Sequence, residues 1–301
     1  MSSDSIDNRW PTPEQVIDAL DTSGHLLEQQ VATELDGLGF NVITNRAFTD
    51  VDEGKSRELD VWAHKYVFQS TERRLSAGIQ LLIECKHTAM PYAFLTRPPR
   101  RPHRPPEEVV ITHHSRKEEY SDGGRALIRT IPTFDEVGLR DLYWGTNASQ
   151  VAVHISHLDR KGNTWRAGNT GVFDSLTWPL AKAVRAFKQP FRNKNGGFDP
   201  KHDASFVMFF VPVVVVASKL YAVDGTASNP TAVEVDHIRF ERELKAEGFE
   251  GNFAIDFVQR DGFARFIEET IDPFGLHLAE IISADPDRFI PAEKWPMWTD
   301  W

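Results

Sequence analysis

Arg57-Glu58-Leu59-Asp60-Val61-Trp62-Ala63 and, further along, Leu81-Leu82-Ile83-Glu84-Cys85-Lys86-His87 decide how this chain is read. Apolar residues dominate both segments, and β-branched and aromatic types recur, which is the composition of short strands. Side chains alternate along a strand, so Glu84 and Lys86 point one way and Ile83 and Cys85 the other. By the same alternation Asp60 shares a face with Glu58 and Trp62, opposite Leu59, Val61 and Ala63. Two acids and a lysine inside apolar strands are expensive to bury without partners. That expense points to a site.

Toward the N-terminus, Asn41 to Thr49 reads as another strand, and Asp50 to Ser56 as the turn between the two. Gly54-Lys55-Ser56 superficially resembles a phosphate loop. Thr49 stands where that motif needs its first glycine, and a strand follows where it needs a helix, so the match fails. Between Gly24 and Phe40, Leu27, Val31, Leu35 and Leu38 recur at spacings of three and four, which predicts a helix. Asp21, Thr22 and Ser23 offer caps at its start, and Gly39 at its end. Glu28 lies beside the apolar stripe of this helix. Alone it reads as a boundary acid favoured by the helix N-terminus.

Taken in order, Glu28 on a helix, Asp60 on a following strand and Glu84-Cys85-Lys86 on the next one resemble the PD-(D/E)XK, or restriction-endonuclease-like, nuclease superfamily. The helix carrying Gly24-His25-Leu26-Leu27-Glu28 and ending at Gly39-Phe40 is most similar to the Mrr-like branch. Leu59 stands where the name of the signature places proline. The resemblance covers roughly residues 20–90 and implies an α/β fold with a mixed central sheet flanked by helices, elaborated by insertions. It also implies a metal-dependent nuclease, with Glu28, Asp60, Glu84 and Lys86 as the catalytic set. Asp60, Glu84 and the main-chain carbonyl of Cys85 would ligate Mg2+, with Mn2+ as a substitute and Glu28 joining directly or through water.

The chemistry can be stated independently of the resemblance. Hydrolysing a phosphodiester brings water to an anionic phosphorus. A hard divalent cation prefers oxygen ligands, offsets developing charge and lowers the pKa of bound water. A lysine beside it would help position or deprotonate the water and stabilise the phosphorane-like charge. The competing interpretation of Asp60, Glu84 and Lys86 is a partly exposed salt-bridge cluster.

Other residues are candidates for holding nucleic acid. Gln80 shares the face of Glu84 and would line a groove. Val67 to Ser76 reads as a polar hairpin connection. After Pro91 the composition changes: residues 91–117 read as an insertion, and Arg97-Pro98-Pro99-Arg100-Arg101-Pro102-His103-Arg104-Pro105-Pro106 should be an extended loop, because proline fixes φ and removes donors. Arg97, Arg100, Arg101 and Arg104 either contact a phosphate backbone or belong to a solvated or protein-docking segment. His113-His114 lacks a matching ligand pair and reads as loop.

Phe134 to Trp144 and Asn147 to Leu158 fit helical spacing, although Val151, Val153 and Ile155 also alternate. Arg160 to Thr170 reads as a loop. Thr177 to Lys188 is a clearer helix, capped by Thr177, with Lys182, Arg185 and Lys188 on a basic flank. The resemblance implies a helix that lines the substrate groove, with Lys182 and Arg185 as nucleic-acid contacts, and the alternative is an ordinary solvated face. Phe206 to Ala217 predicts a buried strand, followed by strands at Leu220 to Val223, Val233 to Phe240 and Asn252 to Val258. A closing helix, broken near Pro273, spans Gly262 to Ile282. Residues 15–285 therefore read as one elaborated domain, followed by a tryptophan-rich tail over 286–301.

The chain's 301 residues, 41% hydrophobic and 26% charged, are ordinary for a globular protein. A net charge of −10 argues against nonspecific nucleic-acid binding by the whole surface, though not by a local groove. The single cysteine excludes an intrachain disulfide and a cysteine-rich zinc site, and fits a reducing cytoplasm. Met1 to Asn8 is unlike a signal peptide, and the longest apolar run is too short for a membrane helix. The expected partner is nucleic acid, DNA ahead of RNA. A homodimer, a larger assembly or a protein partner stays open, as for an antiviral defence effector held inactive until assembled. The alternative class is a noncatalytic nucleic-acid- or protein-binding module on a nuclease-like fold.

Overall fold

The structure is a computed structural model, and residues 10–50, 52–99, 107–111, 115–191, 204–246 and 249–290 are described. It is mixed α/β, with a large mixed sheet flanked by helices. Two helices open the chain, α1 (Pro13–Ser23) and α2 (His25–Gly37), followed by strands β1 (Asn41–Thr49), β2 (Ser56–Ser70) and β3 (Leu75–Lys86). Next come β4 (Tyr92–Arg97), β5 (Val109–Ile111) and the separate hairpin β6 (Ser115–Asp122) and β7 (Arg125–Pro132). Three single turns, α3 (Thr133–Glu136), α4 (Leu139–Leu142) and α5 (Trp144–Asn147), lead to β8 (Val151–Lys161) and β9 (Thr164–Gly168). Helix α6 (Trp178–Lys188) precedes β10 (Ser205–Val216), β11 (Leu220–Asp224), β12 (Ala232–Val235), β13 (His237–Ala246) and β14 (Phe249–Gln259). The last helices are α7 (Phe263–Phe266) and α8 (Asp272–Ala284), joined by a π turn.

The sheet runs β1-β2-β3-β10-β14-β13-β8-β4-β11-β12, with β5 beside β10 and β9 beside β8. Strand β10 lies at its heart, parallel to both β3 and β14. Both of its faces are buried: Val207, Phe209, Val211, Val213 and Val215 enter one core, and Met208, Phe210, Val214 and Val216 the other. A strand covered on both sides has no polar face to keep, hence its unbroken apolar run. Pro212 is tolerated because of where its missing donor would point. The Phe210 N–H on that edge bonds Glu108, and the β14 ladder starts only at Val213, so Pro212 faces the gap between them.

The first core holds α2, α7 and α8 against β2, β3 and β10. The second holds α6 and the curled far half of the sheet, where Phe94 of β4 meets Phe257 of β14 at 5.1 Å. In α2, Leu27, Val31 and Leu35 are the buried stripe, and Gly39 takes the left-handed conformation that ends the helix (φ 81°).

Several expectations are corrected. Asp21, Thr22 and Ser23 close α1 instead of capping α2, whose N-cap is Gly24 at φ 88°. The segment from Asn147 to Leu158 is largely strand β8, because the alternation of Val151, Val153 and Ile155 serves pairing with β4. Arg160 to Thr170 contains β9, joined to β8 by the two-residue Gly162-Asn163 turn. Strands β2 and β3 extend through most of 67–76, leaving only Thr71–Arg74 as the turn. The supposed insertion at 91–117 begins with sheet strand β4 and also includes β5. Thr177 precedes α6 without a side-chain cap, its hydroxyl buried and unbonded. His113, His114 and the tryptophans of the tail lie outside the described residues. No helix among the described residues is long and apolar enough to cross a membrane.

Candidate active site

Asp60 occupies its place because two strands part there. The β2–β3 ladder ends at Val61 opposite Ile83. Beyond it the Asp60 carboxylate replaces the next backbone partner, and Oδ2 accepts the Cys85 N–H at 2.7 Å. The neighbouring strand is irregular at the same level: Asn45 adopts φ 52°, and the Asn45–Asp60 step is missing from an otherwise continuous β1–β2 register. The pleat slips across this step. Val61 and Ala63 enter the first core while Leu59 enters the second, and on β1 Val42 and Phe48 separate in the same way. Leu59 therefore does not share the face of Val61 and Ala63, as unbroken alternation predicts. The slip turns Asp60 into the opening between β2 and β3, within electrostatic reach of Glu28 and His25 on α2.

Glu84 and Lys86 share a face as expected, with Lys86 Nζ donating to Glu84 Oε1 at 2.5 Å. Glu28 approaches from α2, its carboxylate 3.4 Å from His25 Nδ1. Burial, then the Asp60 charge, pushes the Glu28 carboxyl above its ordinary range. Burial does the same to Asp60, outweighing the Cys85 N–H, Lys86 and His25. Glu84 is raised by burial and then by Asp60, against the pull of Lys86. Burial also works against the Lys86 ammonium, but Glu84 and Asp60 more than offset it and hold the proton on. The Cys85 thiol is pushed far up, chiefly by burial, so it is no thiolate at neutral pH. Its carbonyl leaves the strand on the same side as its N–H, toward the opening that Asp60 occupies.

A hard divalent cation fits this donor set in chemistry and in charge. The available donors are carboxylate oxygens and a main-chain carbonyl, and three acids oppose one lysine in a half-buried place. Among the described residues, no three His, Cys, Asp or Glu side chains stand as a ready-made metal cluster. Glu84 is turned onto Lys86 instead. Next to Glu84 a cleft of about 320 Å³ opens toward α6, lined by Phe48, Arg57, Glu58, Leu59 and Pro179.

Mutual repulsion has a measurable consequence. A carboxyl whose folded pKa is raised binds protons better folded than unfolded, so its contribution is most favourable at low pH and is lost as pH rises through the folded value. Glu28→Gln removes one such charge and keeps the side-chain shape. In chelator at neutral pH it should be more stable than wild type by about 1 kcal/mol, or roughly 3 °C in melting temperature. The gain should fade as pH falls through the raised folded value and be gone below about 4.5, where Glu28 is protonated in both states. Melting curves from about pH 4 to 8 check this; a variant less stable than wild type at neutral pH would refute it.

The remaining candidates divide. Gln80 is buried and accepts the Trp62 indole N–H at 3.1 Å, so it braces a ring rather than lining an open groove. Lys182 is not on an exposed basic flank: it is 3% exposed, with Nζ 2.7 Å from Asp50 and 3.0 Å from Glu53. Lys188 is equally enclosed beside Glu107, and Arg185 faces Asp52 at 3.5 Å. The turn carrying Asp50, Asp52 and Glu53 draws Lys182 inward, because buried Asp50 needs a cation, and takes Arg185 at its rim, whereas Lys188 answers to Glu107. Arg97 ends β4, which four intervening strands separate from β3 in sheet order, and is engaged electrostatically with Glu241. Arg100, Arg101 and Arg104 lie outside the described residues. His25 has no role in the sequence reading beyond its place in the helix, although its position three residues before Glu28 was the available signal.

The Lys182 cluster carries its own prediction. Burial alone would raise Asp50, yet Lys182, Arg57 and two backbone N–H groups hold its carboxyl well below the usual range. Lys182→Met should cost about 2 kcal/mol, the worth of a charged hydrogen bond, and lower the melting temperature by roughly 5 °C. Nucleic-acid affinity should stay unchanged. Weakened binding without loss of stability would restore Lys182 as a contact residue.

No protein-family model, curated protein or solved structure matches the chain.

Proposed function

We propose that this chain hydrolyses phosphodiester bonds of nucleic acid with a divalent metal, as a DNA endonuclease on a restriction-endonuclease-like core. One observation carries the reading: Glu28, Asp60 and Glu84 interact electrostatically around Lys86 where β2 and β3 part. The excess of half-buried negative charge there is an arrangement that costs stability and suits a cation. Asp60, Glu84 and the Cys85 carbonyl would hold Mg2+ or Mn2+, with Glu28 at its edge. When bound, the metal supplies Lewis acidity and a water of lowered pKa.

The protein's own groups have separable roles. The Cys85 N–H fixes the Asp60 carboxylate, so one oxygen is committed and the other is free to bind. Lys86, held protonated by Glu84, donates hydrogen bonds to water and to the developing phosphorane charge. Its ammonium is a stabiliser in this state, not a base. The pairing of Glu84 with Lys86 favours a second reading, a noncatalytic binding module in which the charges merely neutralise one another. Incubating plasmid and linear DNA with Mg2+ or Mn2+ separates the two. Metal-dependent cleavage lost in Asp60→Ala supports the nuclease; a folded wild type that binds DNA without turnover supports the module.

A further inference from the structure

A row of rings runs along β2, away from the carboxylates. Phe187 of α6 stacks on Trp62 (6.2 Å between centroids, 15° between planes), Trp62 lies 4.7 Å from His64, and His64 lies 5.4 Å from Tyr66. Trp62, His64 and Tyr66 alternate with buried Ala63 and with Lys65, so they share the α6 side of the sheet. The row is fixed in place: Gln80 takes the Trp62 N–H, and Arg46 lies 5.1 Å over the indole. Tyr66 lies across Gly78, where an added Cβ would come within 3.3 Å of its ring.

The far end of this row is open, with Tyr66 43% exposed beside an edge strand where Ile43 is 40% exposed. In a chain of net charge −10 the neighbouring positions are notably uncharged. Ile43 pairs with Trp62, Asn41 and Gln80 with His64, and Gly78 with Tyr66; none is acidic. The one charge on the row, Arg46, is positive. Burial lowers the His64 pKa, so its ring is neutral at pH 7 and stacks as an uncharged π face.

We infer that the open end of this row, Tyr66 backed by His64, is a stacking platform for unpaired bases, which makes single-stranded nucleic acid, or the frayed end of a duplex, the preferred substrate. This rests on the nuclease reading for the site it feeds. Aromatic faces stack bases of any sequence, and a flanking arginine holds the backbone. Paired bases of a duplex have their faces covered and cannot use such a row. Trp62 stands two residues from Asp60, so a strand lying on the platform leads its backbone toward the carboxylates.

The test is binding, measured in chelator so that no cleavage intervenes. A dye-labelled oligothymidylate is titrated with the full chain by fluorescence anisotropy, single-stranded and annealed to its complement. Tyr66→Leu keeps an apolar cover on Gly78 but removes the π face; Tyr66→Phe keeps both. The single strand should bind tighter than the duplex. Tyr66→Leu should weaken single-strand binding by about tenfold, as expected for one lost base–aromatic stack, and Tyr66→Phe should not. Arg46→Gln should weaken it further and reduce its salt dependence. Equal single-strand affinity in wild type and Tyr66→Leu, or a preference for duplex, overturns the platform. If Tyr66-dependent binding holds but Mg2+ produces no cleavage, the platform stands and the hydrolytic reading falls. Cleavage by a chain indifferent to Tyr66 is the reverse result.

Discussion

Asp60→Ala and Lys86→Ala should each reduce Mg2+-dependent DNA cleavage by at least about 10²–10³-fold, the scale on which loss of one preorganised charge stabiliser is felt. The two losses should differ in kind. Asp60 bridges the place where a cation would sit and the Cys85 N–H, so its removal should also abolish the Mg2+-induced rise in melting temperature seen in wild type. Lys86 is a positive neighbour of Glu84, so Lys86→Ala should leave that metal response intact or strengthen it while cleavage is lost. Together the double substitution should be little worse than either single one, because the residues act on the same step. Wild-type cleavage rates in both variants would remove the assignment. A missing metal response in wild type would leave the charges as a salt-bridge cluster.

Much of this site is legible in the sequence because it follows short-range rules. The i, i+2 relation of Glu84 and Lys86 needs only strand alternation, and the Leu27, Val31, Leu35 stripe that brings Glu28 to the sheet needs only helical spacing. The unbroken apolar run of β10 announces a strand buried on both faces. What escapes is whatever depends on a break in those rules. The slip at Asn45 and Asp60 reverses which side Leu59 faces, and nothing in either residue type requires it. A residue at positive φ on an edge strand becomes visible only once its partner is known.

Charge pairing over long separations is the other illegible part. Lys182 looks like one stripe of a solvated helix until Asp50, more than a hundred residues earlier, is brought beneath it. The same holds for Arg97, whose proline-rich neighbours suggest a loop although the residue itself ends a sheet strand. Single-residue patterns report the exposure a side chain would have on an isolated element. They do not report the acid another element brings to it.

The most consequential of these distant pairings lies around Asp256. This carboxylate is fully buried on β14, with Oδ2 accepting from Arg239 at 3.1 Å and from the Trp144 indole at 3.3 Å, and Oδ1 lying 2.8 Å from His237 Nε2. Arg239 is nearly as enclosed: it donates to the Tyr143 hydroxyl at 3.2 Å, lies over that ring, and faces Glu108 at 3.6 Å. Burial alone would raise the Asp256 pKa, but Arg239 and then His237 hold it below the ordinary value. Asp256→Ala leaves that buried guanidinium short of a carboxylate partner. The expected cost is about 3–5 kcal/mol, a fall in melting temperature of roughly 10 °C. Asp256→Asn keeps the shape and the indole bond, and should cost about half as much. The pH dependence separates charge from packing. A lowered folded pKa means the carboxylate's contribution is complete above its unfolded value of 3.8 and is lost as pH falls through the lower folded one. The gap between wild type and Asp256→Asn should therefore narrow in acid, as pH falls below about 3.8. Denaturant titrations at several pH values measure it. A gap that persists unchanged into acid would assign the cost to packing, and a loss below about 1 kcal/mol for Asp256→Ala would show that Glu108 and Glu241 can hold Arg239 between them.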